Sequence, residues 1–195
     1  RLLRVKFKFM SKLIVTGGAG FIGSHLTDKL IALGHEVAVI DNLMLGKKEF
    51  INKKARFYKA DIRDLKKMRK IFAGAEAVFH LAADPRLQVS VEDPATTHEI
   101  NVTGTLNVLL AAKDSNIKKF IFSSSCAVYG DQPTLPISES NMPKPLSPYG
   151  LHKLMGEEYC RLFSSLYNLP TVCLRYFNVF GPRKLATGGY PMVIP

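Results

Sequence analysis

The sequence predicts an α/β protein with a doubly wound parallel sheet, and three observations support that fold class. From Lys12 onwards, short runs rich in β-branched and aromatic residues alternate with longer stretches of helical periodicity, the pattern of repeated βαβ units. A cluster of glycines stands between the first apolar run and the first helical stretch. The chain has 195 residues and is 47% hydrophobic, which is enough to bury the core of one domain.

Six strands follow from the apolar runs. We expect them near Leu13–Thr16, Glu36–Ile40, Arg56–Lys59, Ala77–Leu81, Lys119–Ser123 and Thr171–Arg175. Four helices are predicted between them, near Phe21–Leu33, Leu65–Phe72, Pro94–Asp114 and Pro148–Tyr167. Right-handed crossovers then place a ligand crevice at the carboxyl ends of the strands, where the strand order reverses.

The segment between Gly130 and Pro148 is predicted to be a long ordered loop. It has too many prolines for a helix or a central strand, namely Pro133, Pro136, Pro143, Pro145 and Pro148. Ordered loops of this length in compact domains are usually functional, so we expect this one to lie near a site.

Charge and composition argue against several classes of function. The net charge of +11 could indicate a nucleic-acid-binding protein. The basic residues, however, concentrate near the start of the chain and on one predicted outer helix, as Arg1, Arg4, Lys6, Lys8 and Lys66, Lys67, Arg69, Lys70. We interpret them as solvated basic faces. Because no apolar run approaches the roughly 20 residues of a membrane span, we expect a soluble protein that binds neither nucleic acid nor membrane.

Residues 1–9 form a leader that alternates basic and apolar residues ahead of Met10, and we expect it to be disordered. Its apolar content is too short and interrupted for a signal peptide, so export is not expected. The cysteines, Cys126, Cys160 and Cys173, are far apart and lack the C-x-x-C spacing of a zinc or redox site. They indicate free thiols in a reducing cytoplasm, and no metal site is predicted.

The run from Val15 to Gly23, VTGGAGFIG, is typical of a loop that binds a dinucleotide. Glycines let the backbone turn tightly and approach a pyrophosphate, and the following helix offers free N–H groups and a partial positive charge. Two spacings fit equally well, one using Gly18, Gly20 and Gly23 and the other using Gly17, Gly20 and Gly23. A glycine-rich turn without a ligand is disfavoured because a strand precedes the run and a helix follows it.

Acidic residues after the second and third strands indicate which dinucleotide is bound. Asp41 ends the second strand, where a carboxylate can accept hydrogen bonds from the adenosine ribose hydroxyls. That carboxylate would repel a 2′-phosphate, and Asn42 follows it rather than an arginine, so NAD is predicted over NADP. Asp61 either contacts adenine or caps the helix that begins near Asp64, and the sequence leaves both open.

Tyr149 and Lys153 are four residues apart at the start of a predicted helix and therefore share one face. The end of the fifth strand, Ser123 to Ser125, is brought by the fold to the same crevice. A phenol is a poor base at neutral pH, but a nearby ammonium and an oxidised nicotinamide both favour the phenolate. We therefore expect Lys153 to tune Tyr149, and Ser125 to hold a substrate hydroxyl.

Taken together, these motifs resemble the extended short-chain dehydrogenase/reductases of the NAD-dependent epimerase/dehydratase type, and most closely the UDP-glucose 4-epimerases. The shared stretches, between Met10 and Arg183, are TGGAGFIG, Asp41, HLAA from His80 to Ala83, SSSCAVYG from Ser123 to Gly130, YGLHK from Tyr149 to Lys153, and RYFNVFGPR from Arg175 to Arg183. The resemblance implies a Rossmann NAD-binding domain over residues 10–180. Residues 181–195 would begin a substrate-binding region that continues further in the family, so the chain is a fragment or the product of a truncated gene.

The resemblance also implies a role for each matching position. Ser125, Tyr149 and Lys153 would be catalytic, with Lys153 on the nicotinamide ribose. The cofactor-binding positions would be Gly17, Gly20, Phe21, Ile22, Gly23, Asp41, Asn42, Asp61, Ile62, Leu81, Ala82, Ala83, Asn101, Ser123, Tyr149, Lys153 and Tyr176. The substrate-binding positions would be Ser125, Tyr149, Phe177 and Asn178. Phe177 could instead lie in the core and Arg183 on the surface, and His80 is expected to pack structurally.

The implied function is the interconversion of the C4 epimers of a UDP-sugar. Tyr149 would take the C4 hydroxyl proton while hydride passes from C4 to NAD, and the 4-keto intermediate would be reduced on its other face. The dehydratases and decarboxylases of the family typically carry a Glu where this chain has Ala127, and elimination needs an acid and a base beyond the tyrosine. A 4-keto reductase, a dehydratase and a non-catalytic NAD-binding module remain alternatives. A homodimer through the two long helices is implied, in the cytoplasm.

Overall fold

The computed structural model describes residues 10–184, and the leader 1–9 and the segment 185–195 lie outside the described residues. Six parallel strands form one sheet in the order β3-β2-β1-β4-β5-β6. They are β1 (Lys12–Thr16), β2 (Glu36–Asp41), β3 (Arg56–Lys59), β4 (Ala77–His80), β5 (Lys119–Ser125) and β6 (Thr171–Tyr176). The order reverses between β1 and β4, so the doubly wound sheet predicted from the sequence is confirmed.

The helices of the described residues are α1 (Phe21–Ala32), α2 (Leu65–Phe72), α3 (Leu87–Glu92), α4 (Pro94–His98), α5 (Gly104–Asp114) and α6 (Pro148–Tyr167). Short 3₁₀ turns occupy Lys48–Phe50 and Cys126–Val128. None of the helices in this part of the chain has the length and apolarity that a membrane crossing requires. The proline-rich segment after Gly130 contains neither helix nor strand until α6 begins, as predicted.

Two helix predictions need correction. The stretch Pro94–Asp114 is not one α-helix, because a π-helical segment, Glu99–Thr103, separates α4 from α5. This widened turn contains Asn101, whose side chain is held by a neighbouring loop, and π segments are frequently found at functional sites. Helix α3 was not predicted at all, because its residues LQVSVE alternate with a period of two rather than the helical period.

Apolar side chains on the two faces of the sheet build two layers of core. On one face, Ile14, Val78 and Phe122 pack against α2, α5 and α6. On the other face, Leu13, Val15 and Val39 pack with Leu30 of α1. Successive apolar side chains of each strand point to opposite faces, so both faces of the sheet are buried. Polar residues gather instead at the carboxyl ends of the strands.

Candidate active site

The glycine loop connects β1 to α1 at the carboxyl edge of the sheet. Gly17 has a left-handed backbone, with φ +71°, and a Cβ there would lie 2.7 Å from the backbone nitrogen of Ala82. A Cβ on Gly23 would collide with the carbonyl of Gly17. Gly20 is the N-cap of α1, and its amide donates to the Gly17 oxygen at 3.1 Å. These contacts explain the glycines at 17 and 23, and because Gly17 belongs only to the spacing 17, 20 and 23, they favour that spacing of the motif.

Gly18 is a glycine for a different reason. A Cβ at this position would lie 2.7 Å from Cγ1 of Val39 in β2, so the residue is small because of packing beneath the loop. The loop therefore presents backbone rather than side chains at the start of α1. The first amides of a helix have no intrahelical acceptor, and no acidic side chain occupies the first turn of α1. Those amides of Phe21, Ile22 and Gly23 are suited to an anionic group.

Asp41 lies across this loop at the end of β2. Its buried carboxylate accepts hydrogen bonds from the amide of Ala19 at 3.0 Å and from the amide of Leu43 at 2.8 Å. Burial raises the pKa of Asp41, while the two amide hydrogen bonds lower it. The carboxylate thus ties the glycine loop to β2. It lies beside the loop, where we expect it to meet the adenosine ribose.

Asn42 and Asp61 are joined at the next strand end, where the Asn42 amide donates to Asp61 at 3.0 Å. The Arg63 guanidinium beside Asp61, with bonds of 2.9 and 2.8 Å, holds the pKa of that carboxyl far below its usual range. The alternative that Asp61 caps a helix is wrong, because the cap of α2 is Asp64, which accepts from Lys67. The adjacent Ile62 is buried and packs against Gly104.

Ser125, Tyr149 and Lys153 meet at the ends of β5 and α6. Helix α6 begins after Ser147, which caps it by accepting from the Gly150 amide at 3.1 Å. The resulting register turns Tyr149 and Lys153 toward β5. The Ser125 hydroxyl lies near enough to the Tyr149 phenol to lower its pKa, and the Lys153 ammonium donates to the backbone oxygen of Ser123 at 2.9 Å. The three predicted catalytic side chains are therefore brought together.

The surroundings of Tyr149 oppose ionisation of its phenol. Burial raises the pKa of Tyr149, the nearby Ser125 hydroxyl lowers it, and the Asp84 carboxylate raises it further. Lys153 is buried, which lowers its pKa to about 8. Its Nζ lies 5.8 Å from the centre of the Tyr149 ring. Lys153 is therefore mostly charged at neutral pH, but the phenol beside it stays protonated.

Ser123 offers a further indication of a ligand. Its hydroxyl is buried, and within residues 10–184 it has no hydrogen-bond partner. A buried hydroxyl without a partner costs free energy, so such atoms in native proteins usually meet a water or a ligand. Within the same residues, no three His, Cys, Asp or Glu side chains cluster as a metal site would need.

His80 occupies the centre of a buried hydrogen-bond chain. The hydroxyl of Thr105 donates to the Asn101 carbonyl at 2.6 Å, so it can only accept from Nε2–H of His80, 3.0 Å away. His80 Nδ1 is then the acceptor for the Thr16 hydroxyl at 2.7 Å, and Thr16 accepts from the Ala82 amide at 3.2 Å. Burial lowers the pKa of His80 to about 3. The histidine is neutral, and its packing role was predicted correctly.

The series of hydrogen bonds through His80 connects the two sides of the crevice. At one end the Ala82 amide lies against Gly17, and Leu81 and Ala83 flank it along the strand end. At the other end the Asn101 side chain holds Asp84, donating to its carbonyl at 3.0 Å and accepting from its amide at 2.8 Å. Asn101, predicted to lie near the cofactor, therefore fixes the loop that contains Asp84.

Glu157 was missed by sequence analysis. Its carboxylate accepts from the Ser124 hydroxyl at 2.5 Å and from the Arg175 guanidinium at 2.9 and 2.7 Å, and the guanidinium stacks 4.6 Å from the ring centre of Tyr129. This cluster ties α6 to β5 and β6 one turn after Lys153. The signal was present in the sequence, because residues 153 and 157 share one helical face and a carboxylate there must find a partner.

The positions predicted to meet the substrate lie at the end of β6. Tyr176 is half-buried and pairs in register with Ser125. Phe177 and Asn178 are exposed, so the alternative that Phe177 belongs to the core is wrong. Arg183 forms a half-exposed ion pair with Asp28 of α1 at 2.8 Å.

Curated relatives match most of this chain but only about half of their own length. A protein of Methanocaldococcus jannaschii provisionally named UDP-glucose 4-epimerase is 48% identical over 174 residues, which are 88% of this chain and 57% of the relative. The UDP-glucose 4-epimerase of Lacticaseibacillus casei is 39% identical over 86% of this chain and 51% of its own length. The chain thus spans about half the length of the curated relatives it matches.

Solved structures agree with this comparison. The UDP-N-acetylglucosamine 4-epimerase of Methanobrevibacter ruminantium, in complex with UDP-N-acetylmuramic acid, is 42% identical with a TM-score of 0.90 over 95% of this chain and 61% of its own. The UDP-glucose 4-epimerase of Thermotoga maritima with UDP-glucose is 44% identical, with a TM-score of 0.89 over 91% and 59%. That of Thermus thermophilus with NAD is 41% identical, with a TM-score of 0.87 over 91% and 58%.

The family model and these relatives agree on one assignment. The model described as the NAD dependent epimerase/dehydratase family matches residues 13–195, which include every described strand but the first residue of β1. The chain belongs to the NAD dependent epimerase/dehydratase family.

Proposed function

We propose that the protein is an NAD-dependent 4-epimerase of UDP-sugars. The observation that carries this proposal is the cluster of Ser125, Tyr149 and Lys153 beside a glycine loop at the point where the strand order reverses. A serine, a tyrosine and a lysine are sufficient to move a proton to and from a secondary hydroxyl. The relatives named above, which are 4-epimerases by name, support the same reaction.

The residues around the glycine loop fit NAD. A pyrophosphate would lie on the backbone of Gly17 and Gly20 and on the first amides of α1, where no side chain obstructs it. The adenosine ribose would meet Asp41, whose carboxylate disfavours the 2′-phosphate of NADP. The unpaired Ser123 hydroxyl and the Lys153 ammonium would lie along the nicotinamide half. Bound there, NAD would supply the acceptor for the hydride of the sugar C4 and the donor that returns it.

The chain's own residues handle the proton. Tyr149 removes the proton of the C4 hydroxyl and gives it back after the sugar has presented its other face, and Ser125 holds the same hydroxyl. Because burial raises the pKa of Tyr149, the phenol needs positive charge near it before it can act as a base. Lys153 supplies one such charge, and its pKa of about 8 keeps it available at neutral pH.

The residues around Ser125 favour hydride removal and return over elimination. Ala127 follows in a 3₁₀ turn and can neither give nor take a proton. The nearby carboxylates of Asp84 and Glu157 are each held by an arginine fork. This arrangement supports simple hydride removal and return over a dehydratase, while a 4-keto reductase would need the same three side chains.

A homodimer through α6 is part of the proposal. The exposed side chains of Leu151, Met155, Leu162 and Leu166 are spaced by four, seven and four residues, so they form one apolar face of that helix. Replacing Leu162 by Glu should convert a dimer to a monomer in analytical ultracentrifugation. We also propose that the protein acts in the cytoplasm, since its three cysteines are free.

Turnover with defined sugars tests the proposed reaction. The protein, or a chimera with the C-terminal part of the Lacticaseibacillus casei enzyme, would be supplied with NAD and either UDP-glucose or UDP-N-acetylglucosamine. Appearance of the galacto epimer without accumulated NADH is the expected result. A 4-keto-6-deoxy product, or net consumption of NAD, would overturn the proposal, and the preferred sugar would identify the substrate.

A further inference from the structure

The residues that follow β6 cross the carboxyl edge of the sheet. Tyr176, the last residue of β6, pairs in register with Ser125, whereas a Cβ on Gly181 would lie 3.6 Å from the ring of Phe21, the first residue of α1. Strands β5 and β4 lie between β6 and β1. Three strand spacings amount to roughly 14 Å, and five extended residues reach about 17 Å. The segment 177–181, here called the strap, therefore takes a nearly direct path across the crevice.

Two contacts fasten the far end of the strap to α1, and together they are called the latch. His25 donates through Nε2 to the backbone oxygen of Pro182 at 2.8 Å, and the Arg183 guanidinium forms an ion pair with Asp28 at 2.8 Å. Asp28 also accepts from the side-chain amide of Asn52 at 2.7 Å, which orients its carboxylate. The strap is thus fastened by side chains that lie outside the catalytic cluster.

The backbone of Arg183 supports a specific role for the latch. Its φ is +67°, in the left-handed region that a residue with a Cβ seldom adopts. Such a conformation costs free energy and persists only where surrounding contacts compensate for it. Burial raises the pKa of Asp28, but hydrogen bonds from Asn52 and Arg183 outweigh that effect, so the pKa is lowered and the carboxylate is charged at neutral pH. The charge on α1 is therefore available to hold the arginine.

The path of the strap follows the two halves of the expected dinucleotide site. At its start, the ring of Phe177 lies 6.5 Å from the ring of Tyr129, close to the end of β5 where Lys153 bonds the Ser123 carbonyl. At its far end it reaches Phe21, whose amide is one of the free amides at the start of α1. A dinucleotide that extends from the α1 amides to Lys153 would lie along this path.

We propose that His25, Asp28 and Arg183 are positioning residues that hold the strap across the crevice and so slow the escape of a bound dinucleotide. The inference deepens the proposed function and rests on it for the identity of the ligand. The latch itself joins groups of this chain alone, so its opening can be measured in the free protein.

Charge reversal tests the latch without a ligand. Asp28→Lys and Arg183→Glu each place like charges opposite one another, whereas the double variant restores an opposite pair. Chymotrypsin cuts after aromatic residues, and the strap contains Phe177 and Phe180, so fragment masses identify cleavage there. Because cleavage follows the open fraction of a segment, each single variant should be cut in the strap roughly threefold to tenfold faster. The double variant should return close to the original rate.

Two more variants separate the latch from the stability of α1. His25→Ala removes the donor to Pro182 and should speed cleavage of the strap roughly twofold to tenfold. Asn52→Ala removes the other partner of Asp28 but keeps both latch contacts, so as the matched control it should be cut close to the original rate. If these residues only stabilise α1, the double charge variant will be cut at least as fast as either single variant, which would overturn the inference.

Dissociation of the dinucleotide is the second measurement. NADH bound to each variant would be displaced by excess NAD, and its release followed by the change in NADH fluorescence. The single charge variants should release it roughly threefold to tenfold faster, and the double variant close to the original rate. Unchanged release from variants whose strap is cut faster would overturn the inference. Absence of epimerase turnover with these differences intact would instead count against the proposed reaction alone.

Discussion

The neutral, buried His80 predicts an acid-dependent loss of stability. In the unfolded chain a histidine binds a proton near pH 6.5. In the folded protein burial lowers the pKa of His80 to about 3. Between these values the unfolded state holds a proton that the folded state lacks, so stability is full above pH 6.5 and falls as the pH decreases. Protonation would also convert Nδ1 into a donor and break the bond with Thr16.

The size of this effect follows from the linkage relation. From pH 7 to pH 5 the unfolded-state protonation of one histidine costs about 2 kcal/mol of unfolding free energy, at about 1.4 kcal/mol per pH unit once below the unfolded pKa. Acidic groups with a lowered pKa, such as Asp28 and Asp114, also stabilise the folded protein. They lose that contribution near and below the pKa of an unfolded carboxyl group, which lies mainly below the window from pH 7 to pH 5. His152, whose pKa burial also lowers, contributes within the window but is common to all variants.

Urea unfolding followed by far-UV circular dichroism gives the comparison, because the chain has no tryptophan to report by fluorescence. His80→Gln keeps a donor and an acceptor but has no proton to bind, so it should be less stable at pH 7 by about 1–3 kcal/mol. Between pH 7 and pH 5 it should lose about 2 kcal/mol less than the original protein. An equal loss in both proteins would refute the reasoning, since His80 would then not be the group that titrates.

Four further outcomes are expected. Asp41→Ala should relax a preference for NAD over NADP in a binding titration; tighter binding of NADP than NAD by the original protein would contradict the assignment. Tyr149→Phe should lower kcat by roughly 10²–10⁴ without unfolding the protein, and a variant with near-normal turnover would remove Tyr149 from the mechanism. Gly23→Ala should lower the melting temperature much more than Gly20→Ala, because its Cβ meets the Gly17 carbonyl, whereas the nearest atom to a Cβ on Gly20 is 3.2 Å away. A polypeptide of residues 1–195 alone should bind NAD but turn over UDP-sugars slowly, because less of the substrate is enclosed; turnover equal to that of a longer relative would show otherwise.

The parts of this molecule that could be predicted from the sequence are those encoded by local periodicity. Apolar runs located the strands, and the spacing of Tyr149 and Lys153 on one helical face placed both at the end of β5. The buried polar partners could not be predicted this way. Thr16 and His80 are separated by 64 residues, and Ser124 and Glu157 by 33, so each pairing depends on the assembled sheet. Asn101, in the π-helical turn, likewise bonds to Asp84, which is 17 residues away, and no local pattern indicates that pairing.

Lys153 alone does not favour the Tyr149 phenolate in this site, which is consistent with the expectation that an oxidised nicotinamide contributes as well. The ammonium is committed to the Ser123 carbonyl, and burial penalises a charged phenolate more than an ammonium 5.8 Å from the ring centre can compensate. The phenol is therefore held protonated by its surroundings, with the Asp84 charge adding to the burial. A base of this kind ionises only when further positive charge reaches it, and the same raised pKa makes it an effective acid when the proton must be returned to the sugar. In a reaction that removes one proton from an oxygen and later restores it, a group with a raised pKa does not release its proton to solvent at neutral pH.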